Sequence, residues 1–365
     1  MVRLVDIAKR TNTSITTVSI ILGSRPHNVV IAESTRQTVL KAARELGYAP
    51  DMAARRLRRH GSGPRTIVLA IAHPVDSRLS EISRIVASVQ RQLHGMREDL
   101  ATVGVVQLNV DTYELGQLHQ LRGLREPYWF NGLLITNTSP EDDAYLESLL
   151  PSVPIVLFQR EGRHSAVLTD GELVGRLATQ HLVDLGHQRI GLIYPAVGAQ
   201  AQAQRVRGYR DTLRRAGLPS GSEEIAYGSS WAGGAYLAAQ RLLSTAVAER
   251  PTALFTTNDM LAIGAMRAIR DWGLRIPEQV AVVGCDDAEF AAYQEPALTT
   301  VHLPIEEMAA RATTILLDLI RQRATAPIQE AFPVHLVVRR SSGPPLDRAG
   351  AADTSPPAVM SVEKR

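Results

Sequence analysis

The N-terminal stretch that decides the fold reads LVDIAKRTNTSITTVSIIL and covers residues 4–22. It predicts a short helix over Val5–Arg10, a polar turn at Thr11–Thr13 and a second helix over Ile15–Leu22. Ser14 stands directly before the second helix, where its hydroxyl can accept a hydrogen bond from an otherwise unpaired backbone N–H. Two short helices joined by a tight turn are the layout of a helix-turn-helix.

Apolar residues at helical spacing give this segment a core. Val18, Ile21 and Leu22 stand at positions i, i+3 and i+4 of the second helix and predict a buried stripe. A third helix is predicted at about Glu33–Leu46. Its apolar face carries Val39, Leu40, Ala43 and Leu46. Residues 1–48 are therefore expected to form a small all-α domain.

Positive charge is concentrated at this end of the chain. Residues 1–60 carry eleven Lys and Arg against four Asp and Glu, whereas the whole chain has a net charge of +3. The head is strongly basic and the rest is mildly acidic, which is typical of a nucleic-acid-binding arm on a larger body. A solvated, charge-rich tail is the alternative interpretation.

A second basic segment, residues 49–63, follows the head. Asp51 can cap a short helix in which four arginines flank Leu57, and Gly-Ser-Gly-Pro at 61–64 is a flexible linker. A helix this short is marginal alone in water. We therefore expect it to need DNA and a second copy of the chain to become ordered.

The body, residues 64–340, alternates short apolar strands with amphipathic helices. This alternation predicts an open parallel α/β architecture, and the length suggests two sheets. The predicted strands are Ile67–Ala72, Thr102–Leu108, Gly132–Thr136, Ile155–Phe158, Ile190–Tyr194, Ala253–Thr256 and Val280–Gly284. Ligands of such sheets bind outside the carboxyl ends of the strands. Residues 341–365 are expected to be a disordered tail.

Several function classes are disfavoured by the sequence. Cys285 is the single cysteine, so neither an intrachain disulfide nor a cysteine metal site is expected. The N-terminus does not resemble a signal peptide and no apolar run is long enough to span a bilayer, which favours a cytoplasmic protein without membrane contact. No P-loop, Gly-x-Gly-x-x-Gly or Gly-x-Ser-x-Gly motif is present, and the adjacent Asp286 and Asp287 make a poor acid–base pair. No enzyme activity, catalytic residue, metal or cofactor is expected.

An ordered set of motifs over about residues 1–340 resembles the lactose/galactose-repressor family of regulators. The set comprises LVDIAK at 4–9, SITTVS at 14–19, AARELGYAP at 42–50, ARRLR at 54–58, LGHQRI at 185–190, RVRGY at 205–209, ND at 258–259, IPEQVAVVGCDD at 276–287 and PALTTV at 296–301. The resemblance implies a helix-turn-helix head and a periplasmic-binding-protein-like core of two Rossmann-like parallel-sheet lobes. It also implies a repressor that binds a palindromic operator in double-stranded DNA as a homodimer. A small effector held by the two lobes would switch it.

The resemblance places the helix over residues 15–22 in the major groove. The predicted DNA contacts in and before this helix are Ser14, Ile15, Thr16, Thr17, Ser19 and Ile20. The threonines would contact base edges and the isoleucines thymine methyl groups, while the serines would contact phosphates or cap the helix. Ile20 could instead belong to the core.

The basic segment after the head has its own implied role. Leu57 would wedge between base pairs in the minor groove, and Arg55 and Arg58 would contact phosphates and the narrow groove. Leu57 could instead pack on Tyr48 or Met52.

Three departures from the family pattern leave the operator sequence open. Ile20 stands where the family usually has Arg or His. The turn at 23–29 is longer than usual, and it contains Arg25, a further predicted DNA contact. Ala32 stands where a Ser cap commonly starts the third helix.

The resemblance also implies a ligand site in the body. The predicted effector-binding residues are His73, Phe158, Asp170, Arg205, Trp231, Asn258 and Asp286. Carboxylates accept hydrogen bonds from hydroxyls, Arg and Asn donate them, and an indole face covers C–H groups, which together suit a sugar. A purine base could use the same groups through stacking and hydrogen bonds at its edge.

Alternative interpretations remain for several of these residues. Asp170 and Asn258 could be plain helix N-caps. Arg205 could form a surface ion pair, and Arg207 could be the arginine of the pocket. Cys285 stands where the family tends to have Phe or Tyr, so the identity of the effector stays open. A stand-alone sugar-binding protein is a further alternative, but such a protein has no use for a basic head.

Overall fold

The computed structural model describes residues 3–22, 31–46, 48, 66–96, 105–121, 124, 129–149, 153–196, 199–219, 223–226 and 231–345. Its helices are α1 (Leu4–Thr11), α2 (Ile15–Leu22), α3 (Glu33–Glu45), α4 (Leu79–Gly95), α5 (Pro140–Ser148), α6 (Gly171–Asp184), α7 (Gln200–Arg215), α8 (Trp231–Leu243), α9 (Asp259–Asp271) and α10 (Ile305–Ile320). Its strands are β1 (Thr66–Pro74), β2 (Val105–Tyr113), β3 (Gly132–Thr136), β4 (Ile155–Phe158), β5 (Ser165–Thr169), β6 (Ile190–Pro195), β7 (Glu223–Ala226), β8 (Ala253–Thr256), β9 (Ala281–Asp286), β10 (Thr299–His302), β11 (Gln329–Phe332) and β12 (His335–Val337).

The three helices at the N-terminus confirm the predicted helical head. The Thr17 backbone N–H donates to Ser14 Oγ at 2.9 Å, so Ser14 caps α2 as predicted. Val18 and Ile21 of α2 are buried in one apolar cluster with Val39 of α3, while Leu22 packs at the edge of that cluster. The spacing of apolar residues therefore predicted this core correctly.

The chain divides into two compact units, each built on a six-stranded sheet. The first unit comprises residues 1–77, 85–167 and 309–329, and the second comprises 78–84, 168–308 and 330–365. The strand orders are β11-β5-β4-β3-β1-β2 and β12-β10-β9-β8-β6-β7. Neighbouring strands such as β1 and β3, or β8 and β9, run parallel, and β12 runs antiparallel to β10. The two predicted parallel-sheet lobes are confirmed.

The sequence located the central strands better than the edge strands. The strands at Gly132–Thr136, Ile155–Phe158 and Ala253–Thr256 have the predicted bounds. The strand predicted at Thr102–Leu108 covers Val105–Tyr113 in the described chain. Its second half was missed because polar residues alternate with apolar ones along this edge strand. The internal strands β5 and β10 and the short edge strands β7, β11 and β12 were not predicted. None of the three edge strands carries an apolar run.

The boundary predicted at residue 340 is corrected by the structure. Ser341 is fully buried, and its hydroxyl donates to the Val282 carbonyl at 2.6 Å while accepting from the Thr299 backbone N–H at 2.8 Å. His187 Nε2 lies 2.9 Å from the Gly343 carbonyl oxygen. The Ser- and Pro-rich composition suggested a tail here, but buried hydrogen bonds hold its first residues on the second unit. The other residues of the predicted tail, from 346 onwards, lie outside the described chain.

Two glycines bring helices α6 and α7 into backbone contact. A Cβ at Gly175 would overlap the carbonyl oxygen of Arg205, and a Cβ at Gly208 would overlap the carbonyl oxygen of Glu172. Neither overlap can be relieved by turning a side chain, because the obstacle is backbone. The pair of glycines therefore fixes the position of the helix that carries Arg205.

We expect Gly175→Ala to destabilise the protein by about 1–3 kcal/mol, because the added methyl group must push two packed helices apart. Denaturant unfolding would measure the change. Gly95→Ala is the matched control, since a Cβ at Gly95 would have no atom within 4 Å. Equal stability of the two variants would contradict the close helix packing.

Candidate DNA-binding helix and ligand pocket

Helix α2 presents one polar face outwards from the apolar cluster of the head. Ile15 is half exposed, Thr16 is exposed, and Val18 on the opposite side is fully buried. Thr17 and Ser19 are partly buried. An exposed face that begins at the N-terminal end of the second helix is what contact with base edges requires.

Ser14 and Ile20, two of the predicted contacts, differ from the exposed residues of this face. Ser14 Oγ accepts the capping hydrogen bond and lies 2.8 Å from Thr17 Oγ1, so its hydroxyl already has partners within the helix. Ile20 is partly buried, whereas Val18 and Ile21 form the core cluster. The core interpretation of Ile20 is therefore the weaker one.

The remaining predicted DNA contacts, Arg25, Arg55, Leu57 and Arg58, lie outside the described residues. The long turn at 23–29 and the linker at 61–64 lie outside them as well. These assignments stay predictions.

Three predicted effector residues meet at the carboxyl ends of strands β8 and β9. Asp286 ends β9, Asn258 stands between β8 and α9, and Arg205 reaches them from α7; all three are buried. Arg205 Nη1 donates to the Thr257 carbonyl at 2.6 Å and lies 3.7 Å from Asp286 Oδ1. The position agrees with the rule that ligands of parallel sheets bind at this edge.

Several polar atoms in this region are buried without a hydrogen-bond partner among the described residues. Asn258 Oδ1 accepts the capping hydrogen bond of the Leu261 N–H at 2.9 Å, but its Nδ2 has no acceptor. Asp286 Oδ1, Thr257 Oγ1 and Gln202 Oε1 are likewise buried without a hydrogen bond. Because buried polar groups are normally paired, these atoms indicate a place for a ligand.

Arg78 is a further residue of this candidate site, and sequence reasoning missed it. Its Nη1 donates to Asp286 Oδ2 and its Nη2 donates to Glu81 Oε2 at 2.8 Å. Its guanidinium carbon lies 5.5 Å from the centre of the Trp231 ring. Burial alone would lower the pKa of Arg78, but the carboxylates of Asp286 and Glu81 outweigh it and raise that pKa, so the side chain stays charged. From the sequence, an arginine three residues before a glutamate indicates only a surface ion pair.

Asp259 is a second missed residue, and it positions the loop that follows β9. Its carboxylate accepts from the Ala288 backbone N–H at 2.8 Å and from the Thr300 hydroxyl at 2.6 Å. Asp286 and Asp287 in this loop have φ angles of 118° and 51°, so the loop needs such anchoring. Burial, together with the nearby charge of Asp286, raises the pKa of Asp259 to about 8.

The neighbouring carboxylate, Asp287, is turned to other partners. Arg339 Nη2 donates to its Oδ1 at 2.6 Å, and His302 Nδ1 lies 2.9 Å from its Oδ2. Burial raises the pKa of Asp287, but the hydrogen bonds from Arg339 and His302 outweigh it and lower that pKa. The two adjacent aspartates thus have separate environments, as their adjacency in the sequence predicted.

The other predicted effector residues are less engaged in this region. Asp170 is exposed and caps α6 through the Leu173 N–H at 2.8 Å, which favours the plain capping interpretation. Arg207 is half exposed and pairs with Glu172 at 2.8 Å, so the geometry favours the buried Arg205 as the arginine of the pocket.

His73 and Phe158 belong to the first unit. Both are buried there, and His73 Nδ1 lies 2.9 Å from the Pro74 carbonyl oxygen. Their assignment to an effector site stays a prediction. Cys285 is fully buried, and burial raises the pKa of its thiol.

The described residues contain no group of three or more His, Cys, Asp or Glu side chains that could hold a metal ion. Within the same part of the chain, no helix has the length and apolar character that crossing a bilayer requires.

Comparisons with known proteins match both parts of the chain. Residues 3–51 match the family described as bacterial regulatory proteins, lacI family, and residues 179–342 match the periplasmic binding protein-like domain. The HTH-type transcriptional repressor PurR of Aliivibrio fischeri (strain MJ11) is 30% identical over 328 residues, which are 88% of this chain and 93% of that protein.

Solved structures give the same match. The complex of the transcriptional regulator CelR with cellobiose has a TM-score of 0.65 and 27% identity, covering 94% of this chain and 100% of that one. The lac repressor dimer bound to operator and the anti-inducer ONPF has a TM-score of 0.65 and 26% identity, covering 94% of this chain and 99% of that one.

We expect the stability of the wild-type protein, relative to Asp259→Asn, to fall as the pH rises from about 5 to about 8. The unfolded chain releases the Asp259 proton near pH 3.8, whereas the folded protein keeps it up to about pH 8, so rising pH favours unfolding across this window. An asparagine can accept from the Ala288 N–H through Oδ1 and donate through Nδ2 to the Thr300 hydroxyl oxygen, and it does not titrate. Denaturant unfolding at several pH values would measure the difference.

The exposed Glu114 offers a control. Glu114→Gln should reproduce the wild-type pH profile. If Asp259→Asn also reproduces it, Asp259 is not protonated in the folded protein.

Proposed function

The chain belongs to the lacI family of bacterial regulatory proteins, which are DNA-binding transcriptional repressors, and from this premise we propose that it binds a palindromic operator as a homodimer and is switched by a neutral sugar. The observation that carries the effector half of the proposal is that two buried polar atoms, Asn258 Nδ2 and Asp286 Oδ1, have no hydrogen bond among the described residues. The homodimer is supported by the lac repressor dimer to which the chain is similar.

Operator binding would use the outward face of α2. Thr16 and Ile15 are the side chains of this helix best exposed for base contact, with Thr17, Ser19 and Ile20 beside them. A threonine can hydrogen-bond a base edge through its hydroxyl or touch a thymine methyl group.

The basic segment beyond the head would add further DNA contacts. Leu57 would wedge into the minor groove, with Arg55 and Arg58 on the flanking phosphates and Arg25 on a further phosphate. These roles rest on the resemblance of the sequence to the family. A protein that acts on the chromosome works in the cytoplasm, and we place this one there.

A hydroxyl group fits the unpaired atoms of the pocket. It can accept a hydrogen bond from Asn258 Nδ2 and donate one to Asp286 Oδ1, which a purely accepting or purely donating group cannot do. The buried charges are balanced, since Arg78 and Arg205 face Asp286 and Glu81. A pocket without net charge favours a neutral ligand, and the similar CelR structure is a complex with a sugar, cellobiose.

A purine base is the second candidate effector. Trp231 offers an aromatic ring at the same pocket, and a base presents both donors and acceptors at its edge. We do not propose that the protein chemically transforms either ligand, because the family consists of regulators.

Thermal-shift screening of the full chain against sugars and nucleobases would identify the ligand, since binding to the folded state raises the melting temperature. Selection from a random duplex library, with and without that ligand, would then give the operator. An effector must change operator affinity and be recovered unaltered. A chain that selects no duplex sequence under either condition would overturn the proposal.

We expect Thr16→Ala to weaken operator binding by roughly tenfold, because it removes a hydroxyl and a methyl group from the reading face of α2. Binding should be titrated at one fixed salt concentration, since phosphate contacts make affinity strongly salt-dependent. Gln37→Ala, on the exposed side of α3, is the control and should bind as the wild type does. A Thr16→Ala protein that also binds as the wild type does would remove Thr16 from the interface.

We expect Asn258→Ser to weaken binding of the identified sugar by about tenfold. A serine keeps an oxygen that can cap α9 but lacks the Nδ2 donor, so the melting temperature without ligand should change little. Calorimetric titration measures the affinity. Arg207→Gln is the control, because Arg207 is exposed and paired with Glu172. An affinity loss in the control but not in Asn258→Ser would favour Arg207 as the arginine of the pocket.

A further inference from the structure

We propose that Arg78 determines the specificity of the pocket: its guanidinium covers the ring of Trp231, so the pocket accepts a hydroxyl-bearing ligand and excludes a flat aromatic one. The inference rests on the proposed function, because it concerns the ligand class of the same pocket. It decides between the two candidate effectors in favour of the sugar.

The guanidinium of Arg78 is held in place from two directions. Asp286 Oδ2 accepts from Nη1, and Glu81 Oε2 accepts from Nη2 at 2.8 Å. The side chain of Arg78 is nearly buried, as are both carboxylates. Charge-assisted hydrogen bonds in a rigid planar fork are among the strongest in proteins, so a ligand cannot displace this group at low cost.

Trp231 also packs against other residues of the protein. Its indole packs against the apolar cluster that includes Leu261 and Leu298, and the Arg78 guanidinium carbon lies 5.5 Å from its ring centre. This is the range of a cation–π contact. A nucleobase that stacked on Trp231 would need the volume that Arg78 occupies. Stacking on an aromatic side chain contributes strongly to the binding of a base, so a base would lose its main attraction here.

The polar atoms that Arg78 leaves without a hydrogen bond suit a hydroxyl group. It occupies Asp286 Oδ2 but leaves Oδ1 without a hydrogen bond, and Asn258 Nδ2 is unpaired as well. These two atoms call for a ligand that offers both an acceptor and a donor. Arg78 also covers the indole face that was expected to pack on the C–H groups of a sugar, so a sugar would be held here by its hydroxyls, which need no aromatic face.

Adenine is the probe that tests this inference, and Arg84→Gln supplies a matched control. Arg84 also forms a carboxylate pair, with Glu306 at 2.7 Å, and donates to the Asp286 carbonyl oxygen at 3.2 Å. Calorimetric titration of the full chain with adenine should show binding at least tenfold tighter for Arg78→Gln than for either the wild type or Arg84→Gln. Adenine binding to Arg78→Gln that is no tighter than to the wild type, or that is equalled by Arg84→Gln, overturns the inference.

A fluorescence measurement separates exclusion by Arg78 from a general loosening of the fold. With Trp129→Phe and Trp272→Phe present, Trp231 is the only tryptophan of the chain. Adenine should then quench its emission more strongly once Arg78 is replaced by Gln, and no change in quenching counts against the inference. If Arg78→Gln does not fold, Arg78→Lys replaces it. The ammonium of a lysine keeps the charge but lacks the planar fork, so adenine should still bind this variant more tightly than the wild type. An adenine affinity equal to that of the wild type overturns the inference.

Failure of the proposed function would look different. A sugar that binds the wild type but leaves operator affinity unchanged contradicts the regulatory role, and it leaves the adenine comparison intact.

Discussion

The buried carboxylate of Asp286 is the group around which the second unit arranges its charges. Removing a carboxylate from water is costly unless opposite charges and hydrogen bonds replace the lost hydration. Arg78 supplies a charge-assisted hydrogen bond, and Arg205 supplies positive charge at 3.7 Å. A second buried acid, Asp259, anchors the same loop, and its raised pKa keeps it neutral near pH 7, so it adds no further negative charge. Loop geometry and charge state are therefore set together.

The scaffold beneath these charges has little freedom to adjust. Gly175 and Gly208 let α6 and α7 touch through their backbones, and Gly264 of α9 sits in the same way against the carbonyl of Ala232 in α8. Arg205 and Trp231 are carried by two of these helices. Because interlocked backbones cannot shift by small amounts, the helices within each of these pairs hold fixed positions relative to one another. A ligand of the proposed site would therefore bind without first ordering these helices.

The sequence predicted most of the fold but only part of the pocket. Periodic apolar residues located the helical head and the central strands, because burial alone determines those patterns. Motif resemblance predicted Arg205, Asn258 and Asp286 as effector residues, and the structure places all three, buried, at the carboxyl ends of β8 and β9. Arg78 could not be found in this way, because its contact with Asp286 joins residues 208 positions apart. Asp170 matched the motif equally well but is an exposed cap, since a pattern does not show which way a side chain faces.

The return of the chain between the two units has a consequence for its biosynthesis. Each unit takes a late segment, residues 309–329 for the first and residues from 330 onwards for the second, and Ser341 closes hydrogen bonds in the second sheet. During translation the head has left the ribosome with all three helices long before either sheet has its last strand. The nascent protein thus passes through a stage in which the head is complete in sequence while both sheets of the body are unfinished.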